Sequence, residues 1–134
     1  MALRWNNSLT TGLPWQDTQH REIFSRVDDL LEAMYRGGDV NELEKLFKMV
    51  QQTLTKHFTH EEQFMLRALC PGFAEHKAAH ESFLEQLPAV KQKLRDPIPK
   101  TILDVQFFFV SWLREHILSL DRSAAKHAAK AQAR

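Results

Sequence analysis

Apolar side chains recur along this chain at intervals of three and four residues, the period of a helix with one buried face. They do so in four stretches. The first runs from Asp17, read as an N-cap, to about Arg36, with His20, Ile23, Phe24, Val27, Leu30, Leu31 and Met34 on one stripe and Gly37 and Gly38 ending it. The second, from about Asn41 to near Cys70, carries Leu43, Leu46, Phe47, Val50, Leu54, His57, Phe58, Glu61, Met65 and Leu69 on its apolar side. Lys56, His60, Gln63 and Arg67 run down its solvated side, and Pro71 disfavours helix at Cys70. A third helix starts near Gly72 and aligns Phe73, His76, His80, Phe83, Leu84, Leu87 and Leu94, with Pro88 expected to kink it. After the turn Asp96-Pro97-Ile98-Pro99, a fourth aligns Ile102, Val105, Phe109, Trp112, Leu113, His116 and Leu120. Short turns make consecutive helices antiparallel neighbours. The expected fold is therefore all-α, an up-down-up-down antiparallel four-helix bundle in one domain over residues 1–134. Residues 1–16 show no helical period and are expected to lie over the bundle as an arm, and the Ala- and Lys-rich segment 122–134 to form a solvated, partly helical tail.

The polar residues on these stripes change the picture. A carboxylate on a core face is costly unless it is paired or bound to a cation, so Glu61 needs a partner, and His57 one turn earlier on the same face suggests that the partner is a metal. Of seven histidines, five (His20, His57, His76, His80 and His116) lie on core stripes, whereas His60 and His127 do not. In an antiparallel bundle the start of the first helix, the end of the second, the start of the third and the end of the fourth share one level. All five histidines, with Glu61 and Asp121, fall near that level. The pairs His57/Glu61 and His76/His80 present donors one turn apart. Asp121, five residues after His116, sits off its face and must swing in where the helix ends or bends. Five imidazoles and two carboxylates are too many donors for one ion, and two ions sharing bridging carboxylates fit them better.

Composition narrows the function classes. A formal net charge of +1 over 134 residues, with both signs interspersed, provides no basic patch for nucleic acid. No apolar run approaches a membrane span, the opening residues lack the pattern of a signal peptide, and the single Cys70 cannot form an internal disulfide. A cytoplasmic setting is expected.

The segments DTQH (Asp17 to His20), HFTHEE (His57 to Glu62), HKAAH (His76 to His80) and WLREHILSLD (Trp112 to Asp121) together resemble the single-domain bacterial hemerythrins over nearly the whole chain. That resemblance implies a non-haem centre of two Fe ions with an oxo or hydroxo bridge. In it His76, His80 and His116 fill one iron, His20 and His57 hold the other and leave it an open position, and Glu61 and Asp121 bridge the two. It further implies that O2 binds at the open iron, takes two electrons and the proton of the bridging hydroxide, is held as a hydroperoxide, and leaves by the reverse steps. Such chemistry needs a dry pocket, for which Trp112, Leu113 and Ile117 match the family's positions, with Ile23, Phe24 and Phe58 as companions.

Two positions depart from the family's pattern. Gln16 stands where an aliphatic residue is common, and Ala124 where an aromatic one is. Three functions are consistent with the sequence. The leading one is reversible O2 binding for storage, transport or delivery. The others are a di-iron peroxidase or oxidase, and an O2 or redox sensor acting on a separate partner.

Overall fold

A computed structural model describes residues 5–133. Its long helices are α1 (Pro14–Arg36), α2 (Val40–Arg67), α3 (Phe73–Gln92) and α4 (Pro99–His116); a five-residue π-helical turn, Ile117–Asp121, leads from α4 into α5 (Arg122–Ala133). α1 packs along both α2 and α4, and α2 along α3. The result is the expected all-α, antiparallel four-helix bundle, with no strand among the described residues. No described helix is long and apolar enough to cross a membrane.

The stripes bury as their spacing requires. Leu43, Phe47, Val50 and Leu54 from α2 meet Ile23, Phe24, Val27, Leu30 and Leu31 from α1, and Phe83, Leu87, Val105 and Phe109 complete one continuous core. Asp39 caps α2 by accepting from the Glu42 amide at 2.9 Å. Gly37 ends α1 with φ +85°, a left-handed conformation open to glycine at little cost.

Several boundaries differ from the sequence reading. α1 begins at Pro14, three residues before Asp17, because proline at the first helical position loses no hydrogen bond. Asp17 sits instead in the first turn, where its carboxylate accepts from the Thr11 amide at 2.8 Å and hydroxyl at 3.0 Å. That pins the preceding segment to the helix. The core stripe of α2 ends at Met65: Leu69 lies beyond the helix with φ +54° and is 82% exposed, since the chain turns left-handed there to reach Pro71. As expected, α3 continues past Pro88, and it ends at Gln92. Residues 122–133 form a helix rather than a partly helical tail, and Ala124, Ala125 and Ala128 are buried.

The N-terminal segment closes one side of the bundle. Leu9 is fully buried, and Trp5 lies edge-on to Phe24, with ring centres 5.7 Å apart. The Arg122 side chain donates to the Thr10 carbonyl at 3.2 Å and to that of Ser8, joining the start of α5 to this segment.

Candidate metal centre

All seven donors singled out in the sequence meet at one level of the bundle. His20 comes from α1, His57 and Glu61 from α2, His76 and His80 from α3, His116 from the end of α4 and Asp121 from the π-helical turn. All are buried. They form two overlapping sets able to hold a metal ion, one of Glu61, His76, His80, His116 and Asp121, the other of His20, His57, Glu61 and Asp121. The two carboxylates belong to both.

The π-helical turn explains how Asp121 takes part. In a regular α-helix a residue five positions on is rotated by about 140°, off the face of the first. Winding the chain more loosely over Ile117–Asp121 brings the carboxylate back, and its Oδ1 lies 3.0 Å from His116 Nε2 and 2.9 Å from His76 Nε2.

Distances within the first set suit ligands better than hydrogen-bonding partners. His116 Nε2 is 3.1 Å from both His76 Nε2 and His80 Nε2, while Glu61 Oε1 is 2.8 Å from His76 Nε2 and 3.0 Å from His80 Nε2. Donors at right angles around an ion roughly 2.1 Å away stand about 3.0 Å apart. The partners of the far ring nitrogens settle which form two of the rings take. His80 Nδ1 faces the Glu62 carboxylate at 2.9 Å, which can only accept, so Nδ1 carries the proton and Nε2 offers a lone pair inward. His57 Nδ1 likewise faces Gln19 Oε1 at 2.7 Å, while the Gln19 amide nitrogen donates to His60 Nδ1 at 2.7 Å. The inward His57 Nε2 is then a bare acceptor without a hydrogen-bond partner, as are Glu61 Oε1 and Asp121 Oδ2. His20 Nε2 lies 2.8 Å from Asp121 Oδ2 but is not aligned to bond with it. A cation between these groups satisfies all of them, so the donor set fits a metal.

In the protein alone, protons stand in for that positive charge. Burial works to raise the Glu61 carboxyl, but the imidazoles of His116, His57, His76 and His80 turned toward it hold it well below the usual carboxylate range. Burial and the neighbouring Glu61 charge raise Asp121, and the imidazoles of His116 and His20 overcome both. His76 is pushed up to about 9, because Asp121 and Glu61 outweigh its burial, and His116 is raised for the same reason.

The family model described as "Hemerythrin HHE cation binding domain" matches residues 11–126. This chain belongs to the hemerythrin family. It is 32% identical to a myohemerythrin of Sipunculus nudus over 117 residues, covering 87% of this chain and 86% of that protein. It is 30% identical to a bacteriohemerythrin of Stenotrophomonas maltophilia, covering 92% and 79%, and 25% identical to one of Clostridium acetobutylicum, covering 88% and 95%.

Around the donors of this hemerythrin the walls are apolar. Phe58 stacks on His80 with ring centres 4.0 Å apart and stands 5.8 Å from His57 and 6.2 Å from His116. Trp112, half-buried, stacks on His116 at 4.2 Å. Ile23, Phe24, Leu113 and Ile117 are buried in the same core. His60 stays outside both donor sets, stacked on Trp15 at 4.4 Å. Three supporting residues escaped the sequence reading. Gln19 and Glu62 look like solvated positions, while Gln16, fully buried, donates to Glu61 Oε2 at 2.7 Å. The sequence signal for Gln16 was its place one turn before His20 on the core stripe.

Proposed function

We propose that this protein binds O2 reversibly at a centre of two iron ions, for storage, transport or delivery. The observation that carries the reading is the pair of buried donor sets sharing Glu61 and Asp121. His76, His80 and His116 would hold one ion, His20 and His57 the other, and the two carboxylates would bridge them. The second ion then has fewer protein ligands and an open position for O2. When bound, the irons supply the two electrons that O2 takes up and gives back.

The protein's own part is to fix and dry the site. Glu62 and Gln19 fix the rings of His80 and His57 so that each turns a lone pair inward. Phe58 and Trp112 lie flat against imidazoles and, with Ile23, Phe24, Leu113 and Ile117, exclude water. Glu115, the acid nearest His116 in sequence, is exposed and lies one position, about 100°, around the helix from it, so it is badly placed to protonate a bound oxygen species. This arrangement favours a carrier over a peroxidase or oxidase. The single Cys70 suits a cytosolic setting.

The test is to load the purified protein with iron without air, count the metal, admit O2, and follow the absorption spectrum through cycles of oxygenation and vacuum. Two irons per chain and a spectrum that returns on each cycle are expected. One ion per chain, or sustained consumption of O2 with added reductant and no reversible spectrum, would overturn the reading.

A further inference from the structure

Gln16 is a polar residue in a place that packing alone would fill with an aliphatic side chain. It lies in the first turn of α1, one turn before His20, and is fully buried. Its amide nitrogen stands 2.7 Å from Glu61 Oε2, and among the described residues this is the one aligned hydrogen bond on that carboxylate. The direction of the bond is fixed by chemistry, because an ionised carboxylate can only accept. The amide oxygen of Gln16, also buried, has no partner, a cost to folding that leucine or methionine would not carry.

The contact also divides Glu61. Its Oε1 faces His76 and His80 at 2.8 Å and 3.0 Å, whereas Oε2 faces Gln16 and, at 3.4 Å, His57 Nε2. Each oxygen is thus turned to a different donor set.

We propose that Gln16 is a positioning residue for the metal centre: it holds Glu61 with Oε2 toward the His20 and His57 side and draws electron density from that oxygen. The inference rests on the di-iron reading above. A hydrogen bond to a ligand oxygen weakens its donation, which favours the less charged, reduced state of the ion it binds. Gln16 therefore raises the reduction potential of the ion on the His20 and His57 side and slows its loss to air oxidation.

The experiment compares the full chain with Gln16→Met, which keeps length and bulk but has no N–H to give. Both are loaded with iron without air, the metal is counted, and the midpoint potential is measured by mediated titration. Thermal unfolding of the metal-free proteins reports the fold. Gln16→Met should still unfold in one cooperative transition, since it gives up the hydrogen bond to Glu61 but also removes an unpaired buried oxygen. With two irons bound, its ratio of oxidised to reduced metal at a fixed potential should rise about tenfold, equivalent to about 59 mV for a one-electron step. A folded variant that retains fewer irons than the unmodified protein also supports the positioning role.

Two irons in the variant with an unchanged potential would overturn the proposal and leave the di-iron reading standing. Fewer than two irons in the unmodified protein would overturn both. Should Gln16→Met fail to fold, Gln16→Asn is read by the same measurements, since it keeps the amide but is one methylene too short to reach Glu61.

Discussion

His57 and His60 are three residues apart and are both histidines on α2, yet they have different work. His57 turns a bare Nε2 toward the donors, and His60 accepts at Nδ1 from the Gln19 amide whose oxygen holds His57. Gln19→Leu is therefore expected to weaken binding of one of the two ions by about 10- to 100-fold, the usual loss when a ligand's outer partner is removed. His60→Ala should cost much less, because the Gln19 contact to His57 survives it. Stepwise metal titration of the two variants checks this, and equal losses would count against the relay. His76 yields a pH prediction. Its folded pKa of about 9 lies above the unfolded value of 6.5, so its stabilising effect in the metal-free protein is complete below pH 6.5 and disappears as pH rises through 9. Denaturant unfolding of the metal-free protein should show stability falling across that window. Metal affinity should rise over the same window, since each ion must displace protons from the imidazoles. At this scale the metal donors were legible in the sequence because histidines and acids on apolar stripes are anomalous. The residues that orient them were harder to find: Gln19 and Glu62 read as ordinary solvated positions, and Gln16 stood out only as an amide where an aliphatic residue is common.

Among the elements, the π-helical turn carries the most chemistry. The sequence required Asp121 to swing in where the fourth helix ends or bends, and the chain does so by winding loosely over Ile117–Asp121 before resuming as α5. Seen this way, the turn accommodates one residue beyond α-helical spacing between His116 and its carboxylate. Deleting the exposed Ser119 would place that Asp four residues after His116, on the same face of a regular α-helix. The deletion variant is expected to keep both ions and to melt no lower than the unmodified protein. Loss of paired metal would show that the turn supplies a geometry which regular winding cannot. The packing of α5, expected only as a solvated, partly helical tail, was hidden because Ala124, Ala125 and Ala128 bury small side chains, so the stripe they form barely registers as apolar. Leu69 erred in the other direction, as an apolar residue in step with the stripe that the positive φ before Pro71 turns outward.

The whole molecule was readable because connection length fixes helix direction, and direction fixes which helix ends share a level. Two ends of α2 and α3, the start of α1 and the end of α4 then had to meet, and with them seven donors. What direction cannot convey is closure, which depends on segments without a period. Trp5 covers Phe24, Leu9 enters the core, and Arg122 binds the carbonyls of Ser8 and Thr10, so the segment from Trp5 to Thr10 and the start of α5 are drawn together onto the bundle. A carrier depends on that closure. With two irons bound as proposed, water admitted to the site would compete with the oxygen held there and shorten its stay, whereas an enzyme would turn over regardless. Leu113, buried one turn before His116, is where the two readings separate. An ionised carboxylate cannot remain dry there, so Leu113→Asp must either take up a proton or bring water in. Because none of the seven donors is altered, iron content should stay close to that of the unmodified protein. The lifetime of the oxygenated form, followed by absorption after a single addition of O2, should shorten about tenfold or more. Leu113→Met, nearly equal in volume and still apolar, should leave it within about twofold. If the aspartate variant matched the unmodified protein in lifetime, water exclusion at this wall would not be what preserves the bound oxygen.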